Sequence, residues 1–190
     1  MPLTLLLHGQ HARVPVPYQP LGAWIVPWRF DSLEREYAAL RTGVGLIDYS
    51  TRALIEVRGA DRAGFLQALL TNDVASLSPG RGCRAALLDP SAKLIAELVV
   101  WAEAEAFWLM CDLDRAQALA QTLERYRFSE RVTVTNHERN QAALALQGPR
   151  TMELLQELIR SPVHLLASGD HCTVTFEGIT MRVVCHRLTV

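Results

Sequence analysis

Phe65-Leu66-Gln67-Ala68-Leu69-Leu70-Thr71-Asn72-Asp73-Val74, followed by Leu77 and Pro79-Gly80, is the stretch on which the fold turns. Phe65, Leu66, Leu69 and Leu70 recur at helical spacing, so residues 61–70 read as a helix with one apolar face. Thr71-Asn72-Asp73 stops it, because short polar side chains bond nearby backbone groups in competition with the helix. Ser78-Pro79-Gly80 is a turn, and beyond it the pattern changes to alternation. Residues 84–88 read as a strand closed by Asp89-Pro90-Ser91. Residues 93–101 read as a second, with Leu94, Ala96, Leu98 and Val100 on one side and Ile95, Glu97, Val99 and Trp101 on the other. A turn near 102–105 leads to a third strand, 107–111.

The same signals extend in both directions. Upstream, residues 32–41 read as a helix with Asp31 or Ser32 as N-cap, a stripe of Leu33, Tyr37 and Leu40, and Thr42-Gly43 as the stop. Strands at 44–48 and 54–57 follow. Residues 1–30 hold five of the nine prolines (Pro2, Pro15, Pro17, Pro20 and Pro27), which excludes a long helix. They read as an extended arm that meets the core through Leu21, Trp24, Ile25, Val26 and Trp28. Downstream, residues 113–126 form an amphipathic helix carrying Leu113, Ala116, Leu119, Ala120 and Leu123. Strands at 132–135 and 142–147 come next, then a helix opened by Gly148-Pro149 and ended by Ser161-Pro162. The last two strands, 172–176 and 179–185, flank Glu177-Gly178 as a hairpin. Strands joined by short turns, without strict β-α-β alternation, place the chain in the α+β class, mostly antiparallel sheet with packed helices.

Composition narrows the function. The 190 residues are 49% hydrophobic and 21% charged, enough to fold around a core. A formal net charge of −1 gives no global attraction to nucleic acid or to an anionic membrane. No apolar run approaches a membrane span. The apolar start, residues 1–7, lacks the basic segment of a signal peptide. Cys83, Cys111, Cys172 and Cys185 fit neither a disulfide framework nor a zinc ribbon, and read as free thiols of a cytoplasmic protein. Lys93 is the only lysine, so any chemistry that needs one must use it.

Site motifs are sparse. Gly43-Val44-Gly45 is too short for a dinucleotide loop. His8 and His11 have a spacing that metal ligands use, but no Cys or carboxylate accompanies them, so no metal is expected. His171-Cys172 would face opposite ways in a strand. Asp48 and the Thr71-Asn72-Asp73 turn are either capping groups or site residues. Trp101 and Trp108, on neighbouring strands, are either core packing or the wall of a flat heteroaromatic site. From the residues alone, the reading stops at an α+β domain.

Three runs go further. The first is residues 36–50, in which a helix leads through Gly43 and Gly45 into Leu46-Ile47-Asp48-Tyr49-Ser50. The second is the opening stretch, and the third is Ala143-Leu144-Ala145-Leu146-Gln147-Gly148-Pro149. Together, in order and spacing, they resemble the aminomethyltransferase family: the T-protein of the glycine cleavage system and its folate-binding relatives of the YgfZ type. The resemblance covers roughly residues 21 to the end. It implies a T-protein-like folate-binding fold with the C-terminal part missing. It divides the chain into an arm (1–30), a first folate-binding-type subdomain (31–140) and the start of a second, incomplete one (141–190).

In that family a "GG-x-x-DD" strand supplies a carboxylate that positions a folate nitrogen. Here the first Asp of the pair falls on Ala96 and the second on Glu97, and the two glycines fall on Ala92 and Lys93. Glu97 takes over the catalytic role only if the strand register turns it toward the ligand. The family's tyrosines on either side fall on Arg84 and Trp101. The resemblance thus implies Asn72, Arg84, Glu97 and Trp101 as cofactor-binding residues, with Trp101 stacking on a pterin and Arg84 pairing with the folate glutamate tail. The implied cofactor is tetrahydrofolate or a one-carbon derivative. The leading expectation is a tetrahydrofolate-binding helper for iron–sulfur enzymes, of the YgfZ type, with little catalysis. That type's Lys-Gly-Cys-x-x-Gly-Gln-Glu motif is absent from this sequence. The first alternative is an aminomethyltransferase, which moves an aminomethyl carbon from a lipoyl carrier protein to folate and releases ammonia. The second is a non-catalytic structural or interaction module.

Overall fold

The computed structural model describes residues 3–159 and 168–186. In chain order the elements are β1 (Leu3–Thr4), α1 (His8–His11), β2 (Tyr18–Leu21), β3 (Trp24–Pro27), α2 (Leu33–Thr42), β4 (Gly45–Asp48), β5 (Arg52–Arg58) and α3 (Arg62–Leu69). They continue with β6 (Gly82–Leu88), β7 (Leu94–Ala102), β8 (Ala106–Asp112), α4 (Ala116–Tyr126), β9 (Thr133–Asn136), β10 (Leu144–Gln147), α5 (Thr151–Ile159), β11 (His171–Phe176) and β12 (Ile179–Val184). A 3-10 turn at Leu113–Arg115 precedes α4. The stop expected at Ser161-Pro162 lies outside the described residues. None of the described helices is long and apolar enough to cross a membrane.

The chain forms two compact units. Residues 53–137 and 168–186 make one of them. Its five-stranded sheet has the order β6-β7-β8-β5-β9, and the pairs β6/β7, β7/β8 and β5/β9 are antiparallel. Alternation sends Ala53, Ile55 and Val57 from β5, Ala96, Leu98 and Val100 from β7, and Leu109 and Cys111 from β8 to the same buried side. There they meet Phe65 and Leu66 of α3 and Leu119 and Leu123 of α4. Each fully buried aliphatic side chain contributes about 1.5–3 kcal/mol of transfer free energy, which makes this the core. Leu94 was expected on the same side as Ala96. The ladder is irregular between Leu87 and Leu88, so Leu94 leaves the alternation and is 61% exposed.

The hairpin β11–β12 pairs from His171↔Val184 to Phe176↔Ile179. It closes through Glu177 and Gly178, both at positive φ. It is tied to the start of β6 by His171 N–H donating to the Gly80 carbonyl at 3.0 Å. Gly169 has φ +96°, and a Cβ there would lie 2.4 Å from the Gly82 carbonyl oxygen, so only glycine permits this approach. At the other edge Asp61 accepts from the Arg131 guanidinium and backbone N–H, which hold its carboxyl down to about 2.

Residues 3–52 and 138–159 make the second unit. The arm expected over residues 1–30 is not simply extended. Within it β1, β3 and β2 form a three-stranded sheet, parallel between β1 and β3 and antiparallel between β2 and β3. The prolines permit this because Pro20 and Pro27 take part in short strands, where few ladder donors are needed. Helix α2 begins as expected: the Ser32 hydroxyl accepts from Arg35 N–H at 3.3 Å. Its expected apolar stripe is not buried, however. Leu33 is 71% and Tyr37 60% exposed, whereas Leu40, in the last turn, reaches Gly45 of β4. Strands β4 and β10 pair antiparallel, Leu144↔Asp48 through Gln147↔Gly45. Gly148 follows at φ +139°, with a would-be Cβ 2.3 Å from the Gly43 carbonyl oxygen. Asp48 is a capping group here: its Oδ1 accepts from Ser50 N–H at 2.9 Å, and its Oδ2 lies 3.1 Å from His11 Nε2.

Replacing the fully buried Leu109 by Ala lowers unfolding free energy by about 2–5 kcal/mol in urea titration, whereas Leu33→Ser stays within about 0.5 kcal/mol. The Asp61 contribution is complete above the unfolded carboxyl value of about 3.9 and is lost as the pH falls toward about 2. Asp61→Asn therefore removes part of the fall in stability over that window, measured by acid titration of the melting temperature.

Candidate functional site

The sheet of the 53–137 unit has a second face, opposite its helices. The ladder pairs Ala86 with Glu97, Arg84 with Val99 and Gly82 with Trp101 across β6 and β7. It then pairs Val99 with Met110 and Trp101 with Trp108 across β7 and β8. Directly paired residues share a face, so Arg84, Glu97, Val99, Trp101, Trp108 and Met110 all belong to it. Register thus brings together three of the four residues expected at the cofactor site: Arg84, Glu97 and Trp101.

They do not share one environment. Arg84 Nη2 donates to Glu97 Oε1 at 2.6 Å, and the two side chains are 63% and 61% exposed. Trp101 is buried, 4% exposed, with its ring centroid 6.4 Å from that of His171. Among the described residues its indole Nε1 has no hydrogen-bond partner, and neither has the buried Nε2 of His171. Gly82, opposite Trp101, makes room for the indole: a Cβ there would come within 2.6 Å of Trp101 Cδ1. Open stacking of a ligand on Trp101 is therefore not available in this conformation, since β11 already lies against it.

Asn72 stands apart from these three. Its Nδ2 donates to the Arg84 carbonyl at 2.7 Å, and its Oδ1 accepts from Asp73 N–H at 2.8 Å. Thr71 Oγ1 accepts from Ala86 N–H at 2.9 Å, and Gln67 Oε1 accepts from both Val74 and Ala75 N–H. The Thr71-Asn72-Asp73 turn is thereby stitched to β6 along the two residues flanking Ala85. Asn72 acts on the face by fixing the backbone of Arg84.

Position 96 is resolved by the same alternation. Ala96 is 2% exposed and points into the core, paired with Leu87. Its neighbour Glu97 carries the carboxylate that β7 presents outward. An aspartate at 96 in this register would place a charge among Leu and Val side chains.

Next to Trp101 lies a cluster that sequence reasoning did not assemble. Trp108 Nε1 donates to Glu103 Oε2 at 2.9 Å, and Arg182 Nε donates to Glu103 Oε1 at 2.7 Å. The Arg182 guanidinium lies 4.1 Å over the Trp108 ring, in cation–π contact. On the far side the His137 ring lies 5.2 Å from Trp108, and its Nε2 is 3.2 Å from Glu56 Oε2. Burial raises the Glu103 pKa, but hydrogen bonds from Arg182 and Trp108 outweigh it and hold the carboxyl below its ordinary value. Only the Trp101–Trp108 pairing left a trace in the sequence. Arg182 is 79 residues from Glu103, beyond any local pattern.

An open concavity of about 470 Å³ lies on the helical side, lined by Ala60, Asp61, Phe65, Leu69, Tyr126 and Glu130. It contains none of the expected residues. Among the described residues no group of three or more His, Cys, Asp or Glu is placed to hold a metal ion.

A family model described as the GCVT N-terminal domain matches residues 7–189. The aminomethyltransferase of Bacillus subtilis (strain 168) is 32% identical over 149 residues, 76% of this chain and 40% of that protein. The probable aminomethyltransferase of Halobacterium salinarum is 31% identical over 182 residues, 93% of this chain and 50% of that protein. Among solved structures, the glycine cleavage system aminomethyltransferase T from Bartonella henselae superposes with a TM-score of 0.80 at 28% identity. That match covers 88% of this chain and 46% of the other. The chain thus spans about half the length of the relatives it matches.

Arg182→Ala strips Trp108 of its cover and leaves Glu103 with one donor fewer. The expected result is red-shifted tryptophan emission and a melting temperature lower by about 2–4 °C for each kcal/mol lost.

Proposed function

The chain belongs to the GCVT N-terminal domain family, and from that premise we propose that its protein binds tetrahydrofolate on the outer sheet face and serves aminomethyl transfer, with Glu97 as the carboxylate that positions the folate. One observation carries this reading: β7 turns Glu97 outward while Ala96 lies in the core. Loss of an aspartate at 96 therefore costs the exposed face nothing. The residues of the face suit a reduced folate. The Glu97 carboxylate accepts hydrogen bonds from a ring N–H. The exposed Arg84 guanidinium complements an acid tail. Asn72 contributes by holding the Arg84 backbone.

Tetrahydrofolate, when bound, supplies the nitrogens that take up the one-carbon unit. This chain's part is to orient it. Glu97 fixes the ring edge, and Trp101 closes the far end of the face. The aminomethyl donor is then the lipoyl arm of a carrier protein, and the protein is cytoplasmic. A second reading has its own support: because Arg84 already engages Glu97, the face favours binding over catalysis, as in a folate-dependent helper for iron–sulfur enzymes.

The two separate on one variant. In the protein as encoded, Glu97→Gln is expected to lower aminomethyl transfer by about 10²-fold or more with little change in melting temperature, since the side chain is exposed. Transfer that survives E97Q unchanged rules out the transferase role of Glu97. Wild-type protein with folate binding but no transfer selects the helper reading.

A further inference from the structure

We propose that α2 is the seam of a twofold dimer. It docks antiparallel on α2 of a second copy of this chain, with Phe30, Leu33 and Tyr37 packed between the helices and Glu34 of each copy paired with Arg41 of the other. These residues belong to the unit of residues 3–52 and 138–159, not to the one that carries Glu97. The dimer therefore does not depend on the folate reading.

The apolar line is continuous and exposed. Leu33 and Tyr37 lie one turn apart on one side of α2, and both are more than half exposed. Phe30, 49% exposed, extends the line. Its N–H donates to Glu36 Oε1 at 2.7 Å, which holds the segment before the helix against the first turns. In the other unit the exposed large apolar side chains Leu94, Phe128 and Ile179 sit on three separate segments, and single ones need no partner. The charges beside the stripe select the partner. Glu34 and Arg41 are seven residues apart, close to two turns, so they share one flank of the stripe, the acid in the first turn and the base in the last. The backbone N–H of Glu34 and the Ser32 hydroxyl hold the Glu34 carboxyl below its ordinary value, which keeps it ionised and in place. Arg41 is exposed, and among the described residues its guanidinium has no ion-pair partner. A copy related by a twofold axis near Tyr37 and Ala38 runs antiparallel and brings the same flank of both stripes together. Glu34 then meets Arg41 of the second copy, and Arg41 meets its Glu34, so the surface is complementary to itself. A parallel copy would instead set Arg41 beside Glu36, whose carboxylate already accepts from Phe30 and Asp31 N–H. The helix has ten residues and is about 15 Å long. That seam is short of a standard interface, so the dimer is of the weak, micromolar kind.

Sedimentation velocity of the full protein between about 1 and about 300 μM follows the monomer–dimer equilibrium. Wild type is expected to move from monomer toward dimer across that range. Glu34→Arg and Arg41→Glu each create two like-charge contacts across the twofold, and each is expected to raise the dissociation constant about tenfold. The double variant E34R/R41E reverses both signs and is expected to return it to within about threefold of wild type. An equimolar mixture of the two single variants sets unlike charges opposite each other and is expected to dimerise at least as tightly as wild type. Leu33→Asp and Tyr37→Glu are expected to give monomers with the melting temperature of dilute wild type, since both side chains face solvent. The dimer is overturned if wild type stays monomeric throughout, which leaves the stripe to a different polypeptide. It is overturned equally if L33D and Y37E still dimerise, which places the contact elsewhere, or if the single charge swaps have no effect. Failure of E34R/R41E to restore what the single swaps weaken overturns the antiparallel pairing.

Discussion

Strand β7 is the constraint on which the rest depends. A pleated strand sends successive side chains to opposite faces, and in β7 the two faces meet different surroundings. Ala96, Leu98 and Val100 are buried on the side that carries α4, while Glu97, Val99 and Trp101 look the other way. The helical side sets the register, because shifting the strand by one residue would bury Glu97 and expose Leu98. Hydrophobic burial on one face thereby determines which carboxylate is presented on the other. A core made of alanine, leucine and valine decides the chemistry of a face that it never touches.

The outer face is graded along its length. At one end Arg84 and Glu97 are exposed and joined by the Arg84 Nη2–Glu97 Oε1 contact. At the other, the hairpin β11–β12 brings His171 against Trp101 and Arg182 onto Trp108, and Glu103 ties the hairpin to the sheet. The exposed end has the adaptable groups and the covered end the rigid ones. The close passage of Gly169 past Gly82 sets how tightly the hairpin can lie down.

Much of this was legible along the chain. The helix ending in Thr71-Asn72-Asp73, the alternating strands after it and the Glu177-Gly178 hairpin fall where periodicity and turn chemistry put them. So does the Ser32 cap. Two local readings failed for a shared reason. The stripe of Leu33, Tyr37 and Leu40 is a true helical stripe, yet Leu33 and Tyr37 stay exposed while Leu40 in the last turn reaches Gly45. The proline-rich start has no helical or long-strand pattern, yet short segments of it pair into a sheet once β3 lies between β1 and β2. Periodicity reports what an element is able to bury, and its neighbours decide whether burial happens.

The sequence by itself determined the α+β class and the order of elements from residue 32 onward, which are written in local spacing, and its contiguous motifs carried the family resemblance that made Arg84, Glu97 and Trp101 candidates. Only the tertiary structure decided which of Ala96 and Glu97 faces outward, that Asn72 spends its amide on the Arg84 carbonyl, that Trp101 is covered, and that Glu103 and Arg182 meet across 79 residues. These are questions of register and long-range contact. Their answers come from burial free energy summed over a whole sheet and its helices, which no short stretch of chain contains.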